Sequence, residues 1–273
     1  MQESVYRANE LCENTWVIYT PTTTCYLVCG DREGMMIDSG NTNVDLRSFA
    51  ESVCGKPVRM VANTHGHFDH TGGNGFFKVA FMGRLAAEIA KLPNGEMDVS
   101  EFPLDYEIVI VGDGYKIDLG NREFECFVLD GHSPDSTAWL DKKARILFTG
   151  DNLSSAPLRY KCDTPQPSVL RYAMNLSKVM ARRDEYDYLL QGHNDHLVDA
   201  NIVNYTLICA LRAADGELDE QPPRNPVQRT RKGPSPFKAD PKNAGYVAYK
   251  DVHISFDKRY ITDMYEIETA IGT

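Results

Sequence analysis

The sequence predicts a layered α/β fold, on the strength of three observations. Short runs of β-branched, aromatic and apolar residues alternate with segments whose apolar residues recur at helical spacing. Gly and Pro separate most of these segments, as expected where strands and helices end in turns. The 273 residues, 42% of them hydrophobic, suffice for a large core. We therefore expect residues 1–273 to form one domain of packed sheets and helices.

The first third of the chain begins with strands and continues with a helix. The strands predicted here cover residues 15–19, 24–29, 35–38 and 58–62. Residues 44–54 carry apolar side chains at helical spacing, and Gly55 and Pro57 follow them, which predicts a helix that ends at this point. This alternation of strand and helix favours a layered α/β fold over an all-β sandwich.

The middle of the chain is rich in predicted strands, and two long helices follow. The predicted strands cover residues 107–111, 115–119, 123–129, 137–140, 146–148 and 188–190. The predicted helices cover residues 85–92, 169–183 and 201–214. Gly112, Asp113 and Gly114 form the strongest turn signal of this region.

A basic, proline-rich segment follows the last predicted helix. Between residues 222 and 242 there are six prolines, six Lys or Arg residues and one Asp, with no hydrophobic period. We expect an irregular excursion at about 222–245, followed by a closing strand region at 246–257. Its positive charge would suit an anionic substrate if the segment lies over the active site.

Composition excludes several classes of function. The chain has 29 Lys and Arg against 39 Asp and Glu, a net charge of −10, which disfavours a nucleic-acid partner. No apolar run is long enough to span a membrane, and no secretory signal opens the sequence. The seven cysteines include no CxxC pair and lie mostly in apolar stretches, as expected of buried thiols in a reducing compartment. We therefore expect a cytoplasmic protein.

Three of the seven histidines lie within six residues, directly after the predicted strand at 58–62. In an extended or gently turning segment, residues two apart point to the same side, so His65 and His67 would offer both imidazoles to one cation. Asp69 and His70 point elsewhere and would serve a second cation beside it. Imidazole and carboxylate suit zinc, iron or manganese, and the motif therefore predicts a metal site.

Further ligands are expected at the ends of other predicted strands. His132, Asp151 and His193 each follow such a strand. Because strand ends at one edge of a sheet bring distant residues into one pocket, these side chains would complete a site for two metals.

Residues 64–73 resemble the signature of the metallo-β-lactamase-fold hydrolase superfamily. The other elements of that family follow in the expected order at residues 37–40, 131–134, 147–151 and 192–193. The resemblance covers about residues 15–200 and implies a four-layer αββα sandwich with its active site at one edge of the two sheets.

The resemblance also implies a role for each candidate ligand. The first metal would be held by His65, His67 and His132. The second metal would be held by Asp69, His70 and His193, and Asp151 would bridge the two. Asp38 would support the ligand loop from behind. The implied cofactors are two divalent ions, with zinc expected and iron or manganese as alternatives.

These roles imply hydrolysis by a metal-bridging hydroxide, with Asp69 and Asp151 as the catalytic carboxylates. The expected substrate carries an ester-like bond, in a lactone, thioester or other small ester. Asp151 and the absence of an export signal favour the glyoxalase II and lactonase-like branch over true β-lactamases. The alternatives are a mononuclear iron oxygenase similar to sulfur dioxygenases, and phosphodiesterase or weak β-lactamase activity. Asp135 stands where the family commonly has a small residue.

Substrate contacts are predicted by position only. The candidates are Tyr160 and His196 near the site, and Arg229, Arg231 and Lys232 in the basic segment. The expected partner is a small-molecule substrate that carries negative charge, and the sequence is compatible with a homodimer.

Overall fold

Two β-sheets face each other at the centre of the computed structural model, which describes residues 5–91, 105–153, 167–219 and 242–262. The first sheet contains β1 (Arg7–Cys12), β2 (Thr15–Tyr19), β3 (Thr24–Cys29), β4 (Gly34–Ile37), β5 (Val58–Ala62), β6 (Val79–Met82) and β7 (Glu107–Ile110), in that spatial order. Its first four strands are antiparallel, and β4 to β7 are parallel.

The second sheet is built from the middle of the chain. Its strands are β8 (Lys116–Asp118), β9 (Glu123–Val128), β10 (Thr137–Asp141), β11 (Ile146–Gly150), β12 (Tyr188–Gln191) and β13 (Val198–Asp199). They lie in the order β13, β12, β11, β10, β9, β8, and only β11 and β12 pair in parallel.

Helices cover the outer faces of both sheets. The helices on these faces are α1 (Leu46–Cys54), α3 (Arg84–Ile89), α4 (Val169–Met180) and α5 (Asn201–Ala214), and a single helical turn, α2 (Phe68–Thr71), lies between β5 and β6. Apolar residues of α1 and α3 pack on the first sheet, and those of α4 and α5 pack on the second. A hairpin of β14 (Ala244–Tyr249) and β15 (Val252–Asp257) packs against α5.

The core between the sheets completes the layered arrangement. Phe124, Trp139 and Phe148 of the second sheet are buried against Tyr26 and Ile37 of the first. Burial of these aromatic side chains contributes a large hydrophobic free energy, which stabilises the packing of one sheet on the other. The layers therefore run helix, sheet, sheet, helix, and the predicted αββα fold class is confirmed.

Most predicted elements are confirmed, with ends that differ by up to three residues. Strands at 15–19, 24–29 and 58–62 and the helix at 201–214 have the predicted limits. The helix predicted at 44–54 begins two residues later, because Asp45 caps it by accepting a hydrogen bond from the backbone N–H of Ser48 at 3.0 Å.

Four elements were absent from the sequence prediction. These are β1, β6, β13 and the single-turn helix α2. Strand β1 is a mostly exposed edge strand with polar side chains, so the hydrophobic alternation that marks a strand is missing from it. Strand β6 has four residues, a length at which a buried strand and a turn of buried helix look alike in sequence.

The proline-rich excursion predicted at about 222–245 overlaps β14 at its end, since Ala244 and Gly245 already pair in that strand. Residues 222–241 of that excursion lie outside the described residues. The closing region predicted at 246–257 lies within the β14–β15 hairpin. The extent of the single domain, residues 1–273, stays a prediction. Among the described residues, no helix has the length and apolarity to cross a membrane.

Candidate metal centre

Seven candidate ligands come from strand ends at one edge of the two sheets. Residues 65–70 follow β5, His132 lies four residues beyond β9, Asp151 directly follows β11, and His193 lies two residues beyond β12. The sequence predicted this placement, since each of these side chains follows a strand. The two sheets therefore contribute jointly to one pocket.

One group consists of three histidines. Nδ1 of His67 lies 2.9 Å from Nε2 of His65 and 3.0 Å from Nε2 of His132. These nitrogens are close enough for one ion to reach all three. His65 and His132 are buried, whereas His67 is half-buried at the edge of the group.

A second group lies directly beside the first. It consists of Asp69, His70 and His193, whose nitrogen and oxygen atoms also lie close enough to share one ion. Oδ2 of Asp69 is 3.9 Å from Nε2 of His70 and 3.6 Å from Nε2 of His193. His70 is fully buried, while the Asp69 side chain is 37% exposed, so this group opens towards solvent through Asp69.

Asp151 lies between the two groups. Its Oδ2 is 3.5 Å from Nε2 of His132 in the first group and 3.3 Å from Nε2 of His193 in the second. Its Oδ1 is 3.6 Å from Nε2 of His70. One buried carboxylate therefore faces imidazoles of both groups.

The histidine motif divides between a bend and a helical turn, where the sequence predicted an extended or gently turning segment. Residues 64–66 form a bend, and α2 begins immediately after His67. Asp69 and His70 therefore project from a helical turn, while His65 and His67 precede it. Gly66 is required in the bend, because a Cβ at this position would collide with the backbone carbonyl of Ala86 in α3.

Asp38 fixes the histidine motif through contacts with Thr64 and His70. One of its carboxylate oxygens accepts a hydrogen bond from the backbone N–H of Thr64 at 2.7 Å, and the other accepts one from the Thr64 hydroxyl at 2.8 Å. The second oxygen also lies 2.7 Å from Nδ1 of His70. With Nδ1–H donating to Asp38, the lone pair of His70 Nε2 is directed at Asp69 and Asp151.

Replacing Asp38 with Asn is expected to weaken metal binding. Asn tolerates the positive φ of 60° at this position but carries no charge to orient the His70 tautomer. The expected loss of metal affinity is about 10–100-fold, measured by competition with a chelating dye. The control is Asp45→Ala, which removes the cap of α1 and should lower the unfolding temperature without changing metal affinity. Equal affinity of Asp38→Asn and wild type would contradict this role.

A buried pair of asparagines also stabilises the ligand loop, and the sequence did not predict it. Asn63 and Asn74 are fully buried and hydrogen-bond each other through both amides, at 2.9 and 3.1 Å. The Asn63 amide also donates to the carbonyl of His70 at 3.0 Å, and Ser39 donates to Asn74 at 2.7 Å. The network fixes the start and end of the ligand loop. The signal in sequence was an Asn directly after an apolar strand, which cannot be matched to a partner eleven residues away without coordinates.

Strand β3 and the turn before it fix the loop that carries His193. The Thr24 hydroxyl donates to the carbonyl of Asn194 at 2.8 Å, and the Tyr26 hydroxyl donates to the same carbonyl at 2.7 Å. Nδ1 of His193 lies 3.1 Å from the carbonyl of Thr22. Donation to that carbonyl leaves the Nε2 lone pair of His193 directed towards Asp69 and Asp151. The first sheet therefore orients a candidate ligand of the second.

The electrostatics of the pocket give His65 and Asp151 the charge states that metal ligands require, whereas the carboxylates around His70 favour a positive charge there. Burial, followed by the neighbouring imidazoles, lowers the pKa of His65 well below its usual value, so its ring is neutral. Burial opposes ionisation of Asp151, but the imidazoles of His70, His193 and His132 hold the pKa of its carboxyl well below its usual range. Burial also opposes protonation of His70, yet the carboxylates of Asp38, Asp69 and Asp151 raise its pKa to about 10.

The carboxylates of Asp38, Asp69 and Asp151 favour the binding of a cation at His70. Its Nε2 is buried and has no hydrogen-bond partner among the residues that the structure describes. A buried nitrogen in this state is costly unless a proton or a metal ion neutralises the carboxylates around it. The donor set of imidazoles and carboxylates is the one that divalent zinc, iron and manganese accept. The residues present therefore fit a metal centre.

Of the predicted substrate contacts, His196 alone lies among the described residues. His196 is exposed and belongs to neither group, and its Nδ1 pairs with Asp195 at 3.3 Å. Tyr160, Arg229, Arg231 and Lys232 lie outside the described residues. Their roles stay predictions.

Asp135 does not intrude on the groups of candidate ligands. It has a positive φ of 50°, a conformation that favours a small residue such as Gly. Its carboxylate accepts a hydrogen bond from the backbone N–H of Leu85 at 2.8 Å, in the first turn of α3. Asp135, which departs from the family pattern, therefore places a negative charge at the N-terminus of α3, where the helix dipole favours it.

Comparison with known proteins places this site in a family. The family model described as "Metallo-beta-lactamase superfamily" matches residues 19–193, a range that contains all seven candidate ligands. The chain belongs to the metallo-beta-lactamase superfamily. Its fold and its metal-compatible groups agree with membership, and it is a hydrolase of that superfamily, whose members generally bind divalent metals.

Two relatives within the metallo-beta-lactamase superfamily have named activities. Human acyl-coenzyme A thioesterase MBLAC2 is 29% identical over 161 residues, which cover 46% of this chain and 56% of that protein. Hydroxyacylglutathione hydrolase of Rhodospirillum rubrum is 33% identical over 107 residues, which cover 39% of this chain and 38% of that protein. The chain therefore spans about half the length of these relatives or less.

A solved structure supports the same fold. The metallo-beta-lactamase from Pontibacter korlensis superposes with a TM-score of 0.58 at 16% identity, over 76% of this chain and 99% of that one. At this identity the likeness concerns the αββα fold alone.

Proposed function

We propose that this superfamily member is a dinuclear metallohydrolase that cleaves a lactone, a thioester or another small ester. The observation that carries the proposal is the position of Asp151. One buried carboxylate faces His132 of the first group and His70 and His193 of the second, at 3.3 to 3.6 Å. Two adjacent groups of three ligands with a shared carboxylate suit a pair of divalent cations.

The residues of the chain would divide between the two ions. The first ion would be held by the three histidines of the first group, of which His65 and His67 come from the bend after β5 and His132 from the loop after β9. The second group is oriented by Asp38 behind His70 and by the Thr22 carbonyl behind His193. When bound, such a pair of divalent ions lowers the pKa of a water molecule towards ~7 and polarises the substrate oxygen.

Asp69 is the residue placed to move a proton. Its carboxylate is the most exposed of the three acids in the pocket, and Oδ2 lies 3.6 Å from Nε2 of His193. A carboxylate at the mouth of the site accepts the proton of the attacking water and can release it to solvent. Asp151, which is buried, stays ionised and compensates the positive charge between the groups.

The ester-like substrate class rests on the relatives. The human relative is named a thioesterase and the bacterial one a hydroxyacylglutathione hydrolase, and both names denote cleavage of a thioester. Zinc is the proposed metal, since five imidazoles and two carboxylates match its preferred ligands. The net charge of −10 supports a small-molecule substrate over a nucleic acid. Free thiols at the six described cysteines support a reducing, cytoplasmic environment.

A substrate panel tests the proposal. The protein is loaded separately with zinc, manganese or iron and assayed with lactones, thioesters, phosphodiesters and β-lactams. We expect kcat/KM for the best ester or thioester to exceed that for any phosphodiester or β-lactam by at least about tenfold, equivalent to roughly 1.4 kcal/mol of transition-state stabilisation. Chelator-treated protein is the control.

Two results would contradict the proposed function. A preference for phosphodiesters or β-lactams would assign the site to another hydrolytic class. Oxygen uptake with glutathione persulfide by the iron-loaded protein, without hydrolysis of any ester, would assign it to oxygenase chemistry.

A further inference from the structure

A cleft of about 510 Å³, which we call the basic cleft, lies where α1 ends and where β5 and β6 begin. Its charged lining consists of Arg47, Glu51, Lys56, Arg59 and Lys78. Four cations and one carboxylate therefore share one concave surface, in a chain whose net charge is −10. The volume of the cleft falls within the range of about 300–1,000 Å³ that is typical of small-molecule sites.

The basic cleft and the metal centre lie at opposite ends of the same strands. Lys56 precedes β5 and Lys78 precedes β6, whereas the histidine motif follows the other end of β5. The five residues of β5, at about 3.3 Å each, separate the two ends of this strand by roughly 16 Å. A small ligand in the basic cleft therefore does not contact the metal ligands, and its binding is independent of the proposed hydrolytic function.

Two of the four cations have no carboxylate partner among the residues that the structure describes. Lys78 is exposed, and it forms no salt bridge within the described ranges. The Lys56 ammonium donates to the carbonyl of Gly30 at 2.5 Å, which is an uncharged acceptor. Because an ammonium has three N–H donors, Lys56 keeps two of them for a ligand.

Carboxylates compensate the two arginines only weakly. Oε1 of Glu51 accepts a hydrogen bond from the backbone N–H of Val58 at 3.0 Å, and Nε of Arg47 lies 3.7 Å from the same oxygen, too far for a hydrogen bond. This Nε is buried and has no hydrogen-bond partner among the described residues. Arg59 lies 3.9 Å from Glu33, and its side chain is 50% exposed. Such loose pairs contribute little, so the cleft keeps its positive charge.

The first sheet brings like charges together in the basic cleft. The backbone N–H of Lys78 donates to the carbonyl of Arg59 at 2.9 Å, so these two cations lie side by side where neighbouring strands begin. Like charges on adjacent strands lower stability. The C-terminus of α1 carries only about half an elementary negative charge, which offsets a small part of the positive charge. An anion bound in the cleft would relieve this repulsion.

We propose that the basic cleft binds the diphosphate group of a small molecule, either free pyrophosphate or a nucleoside diphosphate. Guanidinium and ammonium groups both bind phosphate oxygens, the first in pairs and the second as point charges. A phosphate monoester carries roughly 1.5 to 2 negative charges at pH 7. Two linked phosphates therefore match four cations and one carboxylate more closely than a single phosphate does. A concave site of this size suits a small molecule better than a membrane surface or a nucleic-acid duplex.

Equilibrium dialysis with labelled pyrophosphate tests this proposal. The full-length, metal-loaded protein is dialysed against increasing pyrophosphate, and elemental analysis confirms that the metal stays bound. Arg59→Gln/Lys78→Gln removes two cations of the cleft at exposed positions. We expect the Kd for pyrophosphate in the cleft to rise at least about tenfold, because charge-assisted hydrogen bonds to phosphate are lost. Pyrophosphate bound at the metal centre would not respond to this change.

The matched control is Lys178→Gln/Lys250→Gln, which makes the same change in net charge elsewhere. Both lysines are exposed, one in α4 and the other in the turn between β14 and β15, on the layer that covers the second sheet. We expect this variant to keep the wild-type Kd within about twofold, because distant exposed charges are screened by salt. An equal loss of affinity in both variants would assign the attraction to net charge and contradict the proposal.

Acetylation of lysines locates the bound pyrophosphate in the wild-type protein, so this measurement does not depend on the folding of a variant. We expect pyrophosphate to slow the acetylation of Lys56 and Lys78 several-fold and to leave Lys178 and Lys250 unchanged, as measured by mass spectrometry of peptides. The proposal is wrong if Lys56 and Lys78 react equally fast with and without about 1 mM pyrophosphate.

Competition with other ligands tests the chemical class. Inorganic phosphate should compete at least about tenfold less well than pyrophosphate, since it carries less charge. Tighter binding of adenosine diphosphate than of pyrophosphate would identify a nucleotide, and equal binding would identify the phosphates alone; both results agree with the proposal. If inorganic phosphate binds as well as pyrophosphate, or if duplex DNA or phosphatidylserine vesicles displace pyrophosphate at a lower phosphate concentration, the proposal is wrong. None of these results bears on hydrolysis, which the substrate panel tests separately.

Discussion

Replacing Asp151 with Asn is expected to remove most of the hydrolytic activity. Asp151 is 3% exposed and faces imidazoles of both ligand groups at 3.3 to 3.6 Å. The amide keeps the shape of the side chain but loses the charge that would hold two cations side by side. Metal-centred charge stabilisation is worth several kcal/mol in the transition state, so we expect kcat/KM to fall by roughly 10³-fold or more.

Metal content supplies a second measurement for this variant. We expect wild type to bind two ions per chain and Asp151→Asn to bind one tightly, as measured by elemental analysis after gel filtration. The matched control is Asp195→Asn, which makes the same change of charge on an exposed carboxylate two residues from His193. The control should retain two ions and near-normal kcat. Wild-type activity in Asp151→Asn would rule out the two-metal mechanism.

The sequence was sufficient to predict the position of the site because the candidate ligands follow strands. His132, Asp151 and His193 are far apart in sequence, and each was assigned to the pocket from the apolar run that precedes it. The structure places all three beside the histidine motif. Strand ends at one edge of a layered fold converge by topology, so this part of the prediction needs no knowledge of side-chain contacts.

Contacts between residues of different elements could not be predicted from the pattern of strand ends. The hydrogen bonds of Tyr26 to the loop at residues 191–194 depend on how the two sheets pack, and the pairing of Asn63 with Asn74 depends on the fold of the segment between β5 and β6. Local pattern predicts which residues end a strand, but partners across layers follow from tertiary packing.

A buried ion pair far from the metal centre is expected to control stability. Arg122, which precedes β9, and Asp141, at the end of β10, are both buried, and Nε of Arg122 donates to Oδ2 of Asp141 at 2.7 Å. The guanidinium also donates to the carbonyl of Asn14 and the hydroxyl of Thr15, each at 2.7 Å. Since Thr15 belongs to the first sheet, this one side chain links the two sheets.

Asp141→Leu is expected to lower the free energy of unfolding by about 3–5 kcal/mol, because it leaves the buried charge of Arg122 without its counter-ion. Urea unfolding of the variant and wild type measures the change. The surface pair of Arg145 and Asp187 has similar geometry, at 2.6 Å, but both side chains are more than 40% exposed. Asp187→Leu is therefore the matched control, and solvent screening should leave its stability near that of wild type.

The double variant Arg122→Met/Asp141→Leu separates charge burial from packing. Removing both charges eliminates the uncompensated guanidinium, so the double variant should be more stable than Asp141→Leu alone. It should remain less stable than wild type, because the carbonyls of Asn14 and Cys29 lose their donor. If the double variant were as unstable as the sum of the two single changes, the pair would act through independent packing contacts, and the charge-based account of this link between the sheets would be wrong.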